Sequence, residues 1–304
     1  LRLLRFFITW YFFYALCLIP NFLKEMILSL MLSLWQLFSH IEKKAFSLNV
    51  KHFWGLRPSS YFAKVFSKQL LRHQLSVALE TLEACFTPSK VKIKGLTELK
   101  SFLEEKKEDG KGFIIITGHV GNWELSGSSC AKALGEDFCV LAKPSRSNFA
   151  NYLIEKIRKS LQMSVLWTQR KSLLKDMLRV IKNGKALGFV ADQKPEKRLG
   201  PKVDFCGEKT EFVSGPAKLA ISLKVPIIAV YCLRQTRGVY KLCFEELYGK
   251  DFYGQYDEQS LTQKLAKSIE RKALDYPEQW CWNYKRWNEK SLLKSSLETK
   301  AEVN

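Results

Sequence analysis

Among the 8 cysteines there is no Cys-x-x-Cys pair, and the 4 histidines (His40, His52, His73, His119) show no paired ligand spacing. That pattern offers no zinc finger or ribbon, and no metal is expected. Cysteines set in apolar runs, such as Cys232 in Val230-Tyr231-Cys232-Leu233, read as small buried hydrophobes of a reducing compartment rather than as a disulfide framework. Acids are scarce too: 49 Lys and Arg stand against 30 Asp and Glu, a net charge of +19. Such an excess suits nucleic acid, an anionic membrane surface or an acidic carrier protein. It comes with neither a nucleic-acid motif nor an aromatic-basic repeat, so no nucleic-acid partner is expected.

Charge is missing altogether between Arg5 and Lys24, where Phe6 to Ile19 is almost wholly apolar, and again from Met26 to Ile41. A bilayer span needs about 20 apolar residues, so residues 6–23 are just long enough, with Pro20 and Asn21 near the end. No small-residue cleavage site follows, which argues against a signal peptide. Residues 1–41 are expected to anchor the chain to a membrane, through one helix or through a shallow, re-entrant or interfacial helix pair. Lys43, Lys44, Lys51, Arg57, Lys64 and Lys68 follow closely and put the bulk of the chain on the cytoplasmic side. From Tyr61 to Phe86 apolar residues recur at helical spacing with Lys and Arg between them. This is an amphipathic helix or pair whose basic face meets lipid headgroups or solvent.

Beyond it, strands and helices alternate. Val91–Ile93 reads as a short strand, Thr97–Lys106 as a helix, and Glu108-Asp109-Gly110-Lys111-Gly112 as a turn. Further strands are read at Phe113–Ile116, Phe138–Ala142, Ala186–Ala191, Val225–Leu233 and Tyr240–Leu247, with Val203–Phe205 as a short edge strand. Helices are expected at Asn148–Gln162, Lys171–Lys182, Gly215–Leu223 and Glu258–Leu274. The alternation predicts an α/β fold, a largely parallel central sheet flanked by helices, over residues 42–287. Residues 288–304 read as a polar helix end or a disordered tail.

The chemistry concentrates in Gly118-His119-Val120-Gly121-Asn122-Trp123-Glu124. His119 follows a buried strand at a glycine turn, and Glu124 falls in the first turn of the next helix, capped near Gly121 or Asn122. The expectation is that Glu124 holds one imidazole nitrogen while the other takes a proton from an alcohol, with helix-start N–H groups nearby for an oxyanion. Active residues in such sheets gather beyond the carboxyl ends of the strands. His119 and Asp192 each sit just past one.

Gly-His-Val-Gly-Asn-Trp-Glu-Leu resembles the signature of the bacterial lipid A biosynthesis acyltransferases, within the glycerolipid acyltransferase group that carries His-x4-Asp/Glu. Ala191-Asp192-Gln193, Val203-Asp204-Phe205-Cys206-Gly207, Ser214 to Ala220, Val225-Pro226-Ile227-Ile228 and Pro277 to Trp282 fall in the same family's order, so the likeness covers residues 60–287. Departures are Cys206 for a more common Phe, Lys194 for an acid, and Tyr284-Lys285-Arg286-Trp287 for His-Arg-Arg-Trp. The resemblance implies His119 as general base and Glu124 as its partner in a catalytic dyad. It also points to Arg158, on a phosphate of the acceptor or of the carrier's phosphopantetheine or else a plain surface arginine, and to Asp192, fixing Arg158 or positioning substrate or else a turn residue with a local hydrogen bond; Asn122 is read as a substrate-binding oxyanion donor or simply a helix cap. The implied reaction moves a fatty acyl chain from acyl carrier protein, or coenzyme A, to a hydroxyl of a lipid A precursor, with no cofactor, at the bacterial inner membrane. Alternatives are acylation of another glycolipid or a lysophospholipid, or a non-catalytic basic membrane scaffold.

Overall fold

The computed structural model describes residues 2–38, 40–55, 59–106, 110–195 and 200–287. Arg57, the side chain of Lys43, Glu108-Asp109 and the tail 288–304 lie outside the described residues.

Helix α1 (Arg2–Leu18) ends where Pro20 disfavours helical backbone at Ile19, and α2 (Asn21–Phe38) leaves at 118° to it. Of the two anchoring arrangements left open, the single helix over residues 6–23 does not form, and no described helix is long and apolar enough by itself to cross a membrane. After α3 (His40–Trp54) comes α4 (Tyr61–Phe86), one unbroken helix of 26 residues capped by the Ser60 side chain. Both α1 and α2 pack on α4.

The rest follows the expected alternation: β1 (Lys92–Lys94), α5 (Leu96–Glu105), β2 (Ile114–Thr117), α6 (Trp123–Leu134), β3 (Phe138–Ala142) and α7 (Asn148–Ser160). Next are β4 (Ser164–Trp167), α8 (Leu173–Lys182), β5 (Ala186–Val190), a hairpin of β6 (Lys202–Phe205) and β7 (Glu208–Glu211), and α9 (Gly215–Leu223). A long antiparallel pair, β8 (Ile227–Thr236) and β9 (Val239–Tyr248), precedes α10 (Glu258–Asp275). Seven strands form one sheet in the order β1-β9-β8-β2-β5-β3-β4, parallel at every pairing except β8 with β9. The segment read as an edge strand, Val203–Phe205, instead pairs with β7 in a separate two-stranded sheet.

Alternate residues of a strand face opposite sides, and here both sides are covered. Ile114 and Ile116 join Tyr231, Ile269, Trp280 and Trp282 in one apolar cluster, while Ile115 joins Val230, Cys232, Leu125 and Leu99 in the other. This double burial is why β2 and β8 read as unbroken apolar runs rather than as alternating ones.

Candidate active site

Strands β2 and β5 are parallel neighbours, with Thr117 opposite Val190. His119 lies just past the end of β2 and Asp192 just past the end of β5, so the sheet delivers them to the same spot. Gly118 is needed for that approach: a Cβ there would stand 2.7 Å from Ile269 Cγ2 and 3.2 Å from Asp192 Oδ2. The Asp192 carboxylate receives His119 twice, from the backbone N–H at 2.8 Å to Oδ2 and from ring Nδ1 at 2.6 Å to Oδ1. Trp280 Nε1 also donates to Oδ2, at 2.8 Å. Arg286, fully buried across the faces of Phe205 and Phe212, donates to the Asp192 carbonyl oxygen.

Electrostatics follow from this geometry. Burial opposes the charge on Asp192, but the His119 imidazole and the hydrogen bonds from His119 and Trp280 outweigh it and hold the carboxyl below its ordinary range. For His119, burial is the largest single influence and pulls the pKa down. The charge and hydrogen bond of Asp192, with a further contribution from Glu124, overcome it and leave the pKa raised. An ionised Asp192 accepts the Nδ1 proton, so the neutral ring carries its lone pair on Nε2. That ring is 20% exposed and lies edge-on to Trp123. The side-chain amide of Gln193 makes a long 3.4 Å contact with Nε2.

The expected pairing of His119 with Glu124 is corrected here. Glu124, second residue of α6, turns toward α7 and takes a two-pronged bond from Arg158, with Nε at 3.0 Å and Nη2 at 2.6 Å. The acids are thus exchanged relative to the sequence reading: Asp192 holds the imidazole and Glu124 holds Arg158. Asn122 is a helix cap and not a cleft residue. It is fully buried, its Oδ1 accepts from Leu125 N at 3.0 Å, and its Nδ2 donates to Thr81 Oγ1 at 3.1 Å.

The loop carrying His119 is pinned from outside. Gly121 at φ +63° is wedged so closely that a Cβ would sit 2.2 Å from Cys232 O; its N–H bonds Gln279 O at 3.0 Å, and its carbonyl meets His73 Nε2 of α4 at 3.1 Å. Burial drives the His73 pKa down to about 4, so His73 is neutral near pH 7 and Nε2 must carry the proton it donates. Three supports, His73, Trp280 and Arg286, escaped the sequence reading; their residue types carry no signal until the chain is folded.

His119, Asp192 and Gln193 open onto a cleft of about 740 Å³ bounded by α3 and by residues 280–285, with Leu48 and Trp123 among its apolar walls and Lys44 and Lys285 among its basic ones. Next to it a narrow, largely apolar slot of about 40 Å³ runs between α6 and the sheet, with Glu124, Arg158, Val140, Met163 and Phe189 in its walls. Among the described residues no group of three or more His, Cys, Asp or Glu is placed to hold a metal.

An imidazole oriented by a buried carboxylate stands at the strand ends of a parallel sheet and faces a mostly apolar cleft, an arrangement that, when the ring is neutral, can take a proton from a hydroxyl. Over residues 1–289 the chain matches the bacterial lipid A biosynthesis acyltransferases, and it belongs to that family. It is similar to the phosphatidylinositol mannoside acyltransferase of Mycolicibacterium smegmatis (strain ATCC 700084 / mc(2)155), with 25% identity over 185 residues, 59% of this chain and 57% of that protein. The phosphatidylinositol mannoside acyltransferases of Mycobacterium tuberculosis strains CDC 1551 / Oshkosh and ATCC 25618 / H37Rv are 24% identical over 185 residues, 59% of this chain and 55% of each. The match spans little more than half the length of these relatives.

Proposed function

We propose that the chain is a membrane-associated O-acyltransferase that moves a fatty acyl group from a thioester donor to a hydroxyl of a glycolipid. The observation that carries this reading is the Nε2 lone pair of His119, held on the cleft side by the Asp192 bond to Nδ1. In the reaction, Nε2 takes the acceptor's hydroxyl proton while that oxygen attacks the thioester carbonyl carbon. The tetrahedral intermediate collapses with cleavage of the C–S bond, and the imidazolium returns its proton to the departing sulfur. Asp192 stabilises the transient imidazolium. Arg158, fixed by Glu124, supplies a cation for a phosphate of donor or acceptor.

The favoured acceptor is a lipid A precursor and the favoured donor an acyl carrier protein, with coenzyme A thioesters second. Family membership supports the former and the +19 charge suits an acidic carrier. The site of action is the bacterial inner membrane with the catalytic residues on the cytoplasmic side. Support comes from the exposed apolar surface of α1 and α2 and the lysines that follow them, Lys44, Lys51, Lys64 and Lys68. A second acceptor, a mannosylated phosphatidylinositol, is favoured by the relatives' substrate.

The purified full chain, given labelled acyl carrier protein with each acceptor in turn, tests this. Transfer to the lipid A precursor that His119→Ala abolishes is the expected result. Transfer only to the mannolipid moves the assignment to the second acceptor, and undiminished transfer by His119→Ala removes the base.

A further inference from the structure

The bend between α1 and α2 is fastened to the catalytic body. Lys24, with no exposed side-chain surface, donates to Glu83 of α4 at 2.6 Å and to Cys17 O, the last turn of α1, at 2.7 Å. Lys90 donates to the same carbonyl at 2.7 Å. Arg237, in the turn between β8 and β9, bridges Glu83 at 3.2 Å and Glu25 at 2.8 Å. The bend of the only apolar helix pair found among the described residues is therefore tied by an ion-pair cluster to α4 and to the β8–β9 turn.

Both helices, and the start of α4, carry exposed apolar side chains. Phe7, Tyr11 and Phe12 on α1, Phe22 and Met26 on α2, and Phe62 on α4 are 50–70% exposed. So many large apolar side chains exposed on neighbouring helices mark a binding surface. Its rim has the chemistry of an anionic lipid headgroup layer: Lys64 and Lys68 are exposed on α4 a turn from Tyr61 and Val65, and Arg5 is exposed on α1. Neither helix is long and apolar enough to cross by itself in this conformation. Helix α1, at 17 residues, is about 25 Å long against a hydrocarbon core of about 30 Å, and the chain then turns by 118° between Leu18 and Asn21, with Cys17 and Lys24 buried on either side of the turn.

Building on the membrane-surface reading above, we infer that α1 and α2 form a wedge that enters one leaflet of a bilayer, with both of its ends on the catalytic side, and that the Lys24–Glu83–Arg237 clamp fixes this shape. The chain is thus held to the membrane from one side, without a span.

The test uses the full chain with an epitope tag before Leu1 or after Asn304, expressed in membranes from which right-side-out and inverted vesicles are prepared. Protease is expected to remove both tags from the same face. In parallel, the purified chain is expected to float with phosphatidylglycerol vesicles more strongly than with phosphatidylcholine ones. Phe12→Glu with Phe22→Glu, both exposed substitutions, is expected to weaken flotation by at least about tenfold with unchanged thermal unfolding. Tags cut from opposite faces overturn the wedge while the membrane reading stands. No flotation of the unaltered chain overturns both. A dimer that those two substitutions dissociate, with flotation unchanged, assigns the face to a second copy and overturns the wedge.

Discussion

Substituting Asp192→Asn changes one atom, and the bonds at this carboxylate fix what must follow. Oδ2 accepts two buried N–H groups, from His119 and Trp280, whereas Oδ1 accepts one, from His119 Nδ1. An asparagine can keep an oxygen at only one of these positions. Leaving a buried donor without an acceptor costs about 1–3 kcal/mol, so the amide settles with its oxygen on the two-donor side and its NH2 facing Nδ1. The ring must then accept at Nδ1 and carry its proton on Nε2, where the acceptor hydroxyl has to deliver one. General-base assistance is lost, worth about 10²- to 10⁴-fold in rate, or roughly 3–5 kcal/mol of barrier. The shape of the site is conserved, so thermal unfolding changes far less than activity does. The assay is turnover of the thioester under saturating acceptor, paired with nitrogen-15 NMR of the imidazole, which reports the proton on Nδ1 in the unaltered chain and on Nε2 in the variant. Turnover within about threefold of the unaltered chain, against the 10²-fold minimum, refutes the assignment of Asp192 as the residue that sets the tautomer.

Because Asp192 raises the pKa of His119 and the base must be neutral, kcat/KM is expected to fall on the acid side with a midpoint above the ordinary histidine value of 6.5, and below it in Asp192→Asn, where burial remains without the charge. The linked stability has the opposite sense: the stabilisation due to the raised His119 pKa is complete below 6.5 and fades as pH rises through the folded value, which unfolding at a series of pH values follows. Glu124→Gln is expected to raise KM by about tenfold while sparing most of kcat, since it frees Arg158 but leaves the imidazole bound. A loss of kcat matching His119→Ala would return Glu124 to the role the sequence suggested. His73→Leu strips the Gly121 carbonyl of its donor at a cost of about 1–3 kcal/mol, read as a lowered melting temperature that His73→Gln partly restores. Since the folded His73 pKa is near 4, its contribution is whole above 6.5 and lost as pH falls toward 4.

What could be read from the letters was what local patterning decides. Strand β2, the glycine turn, His119 and the Asn122 cap of α6 lie within a dozen consecutive residues, and burial on both faces stamps the strand as an apolar run. The position of Asp192 just past β5 was equally legible. The partner of the imidazole was not, because it depends on β2 and β5 being neighbours across 73 residues of chain. Glu124 was the nearer acid in sequence and is the further one in hydrogen bonding, since starting α6 at Trp123 turns it toward Arg158. Strand β4 went unread because Ser164–Trp167 is short and follows directly on α7. The break between α1 and α2 had its signal in Pro20, but apolarity on both sides outweighed it. Trp280 and Arg286 lay in stretches noted for their place in the family pattern, and neither carried a role there; both bear on Asp192.

Helix α4 connects the α1–α2 bend to the His119 loop. On α4, Glu83 holds the clamp at the α1–α2 bend, and Glu80, one turn earlier on the same side, is fully buried with Arg234 at 2.7 Å and the Tyr240 hydroxyl. Thr81 and His73 then reach Asn122 and the Gly121 carbonyl, so α1, α2 and the His119 loop are fastened to a single rod. Apolar packing alone would let that rod slide by a turn at small cost, because one greasy ridge fits many grooves. Buried ions do not: moving α4 by one turn would part Glu80 from Arg234 and Glu83 from Lys24, and each unpaired charge in the interior costs about 3–5 kcal/mol. The ionic contacts are therefore best understood as fixing register rather than adding net stability. Register is what the proposed function needs, since it sets the distance from the exposed apolar faces of α1 and α2 to His119.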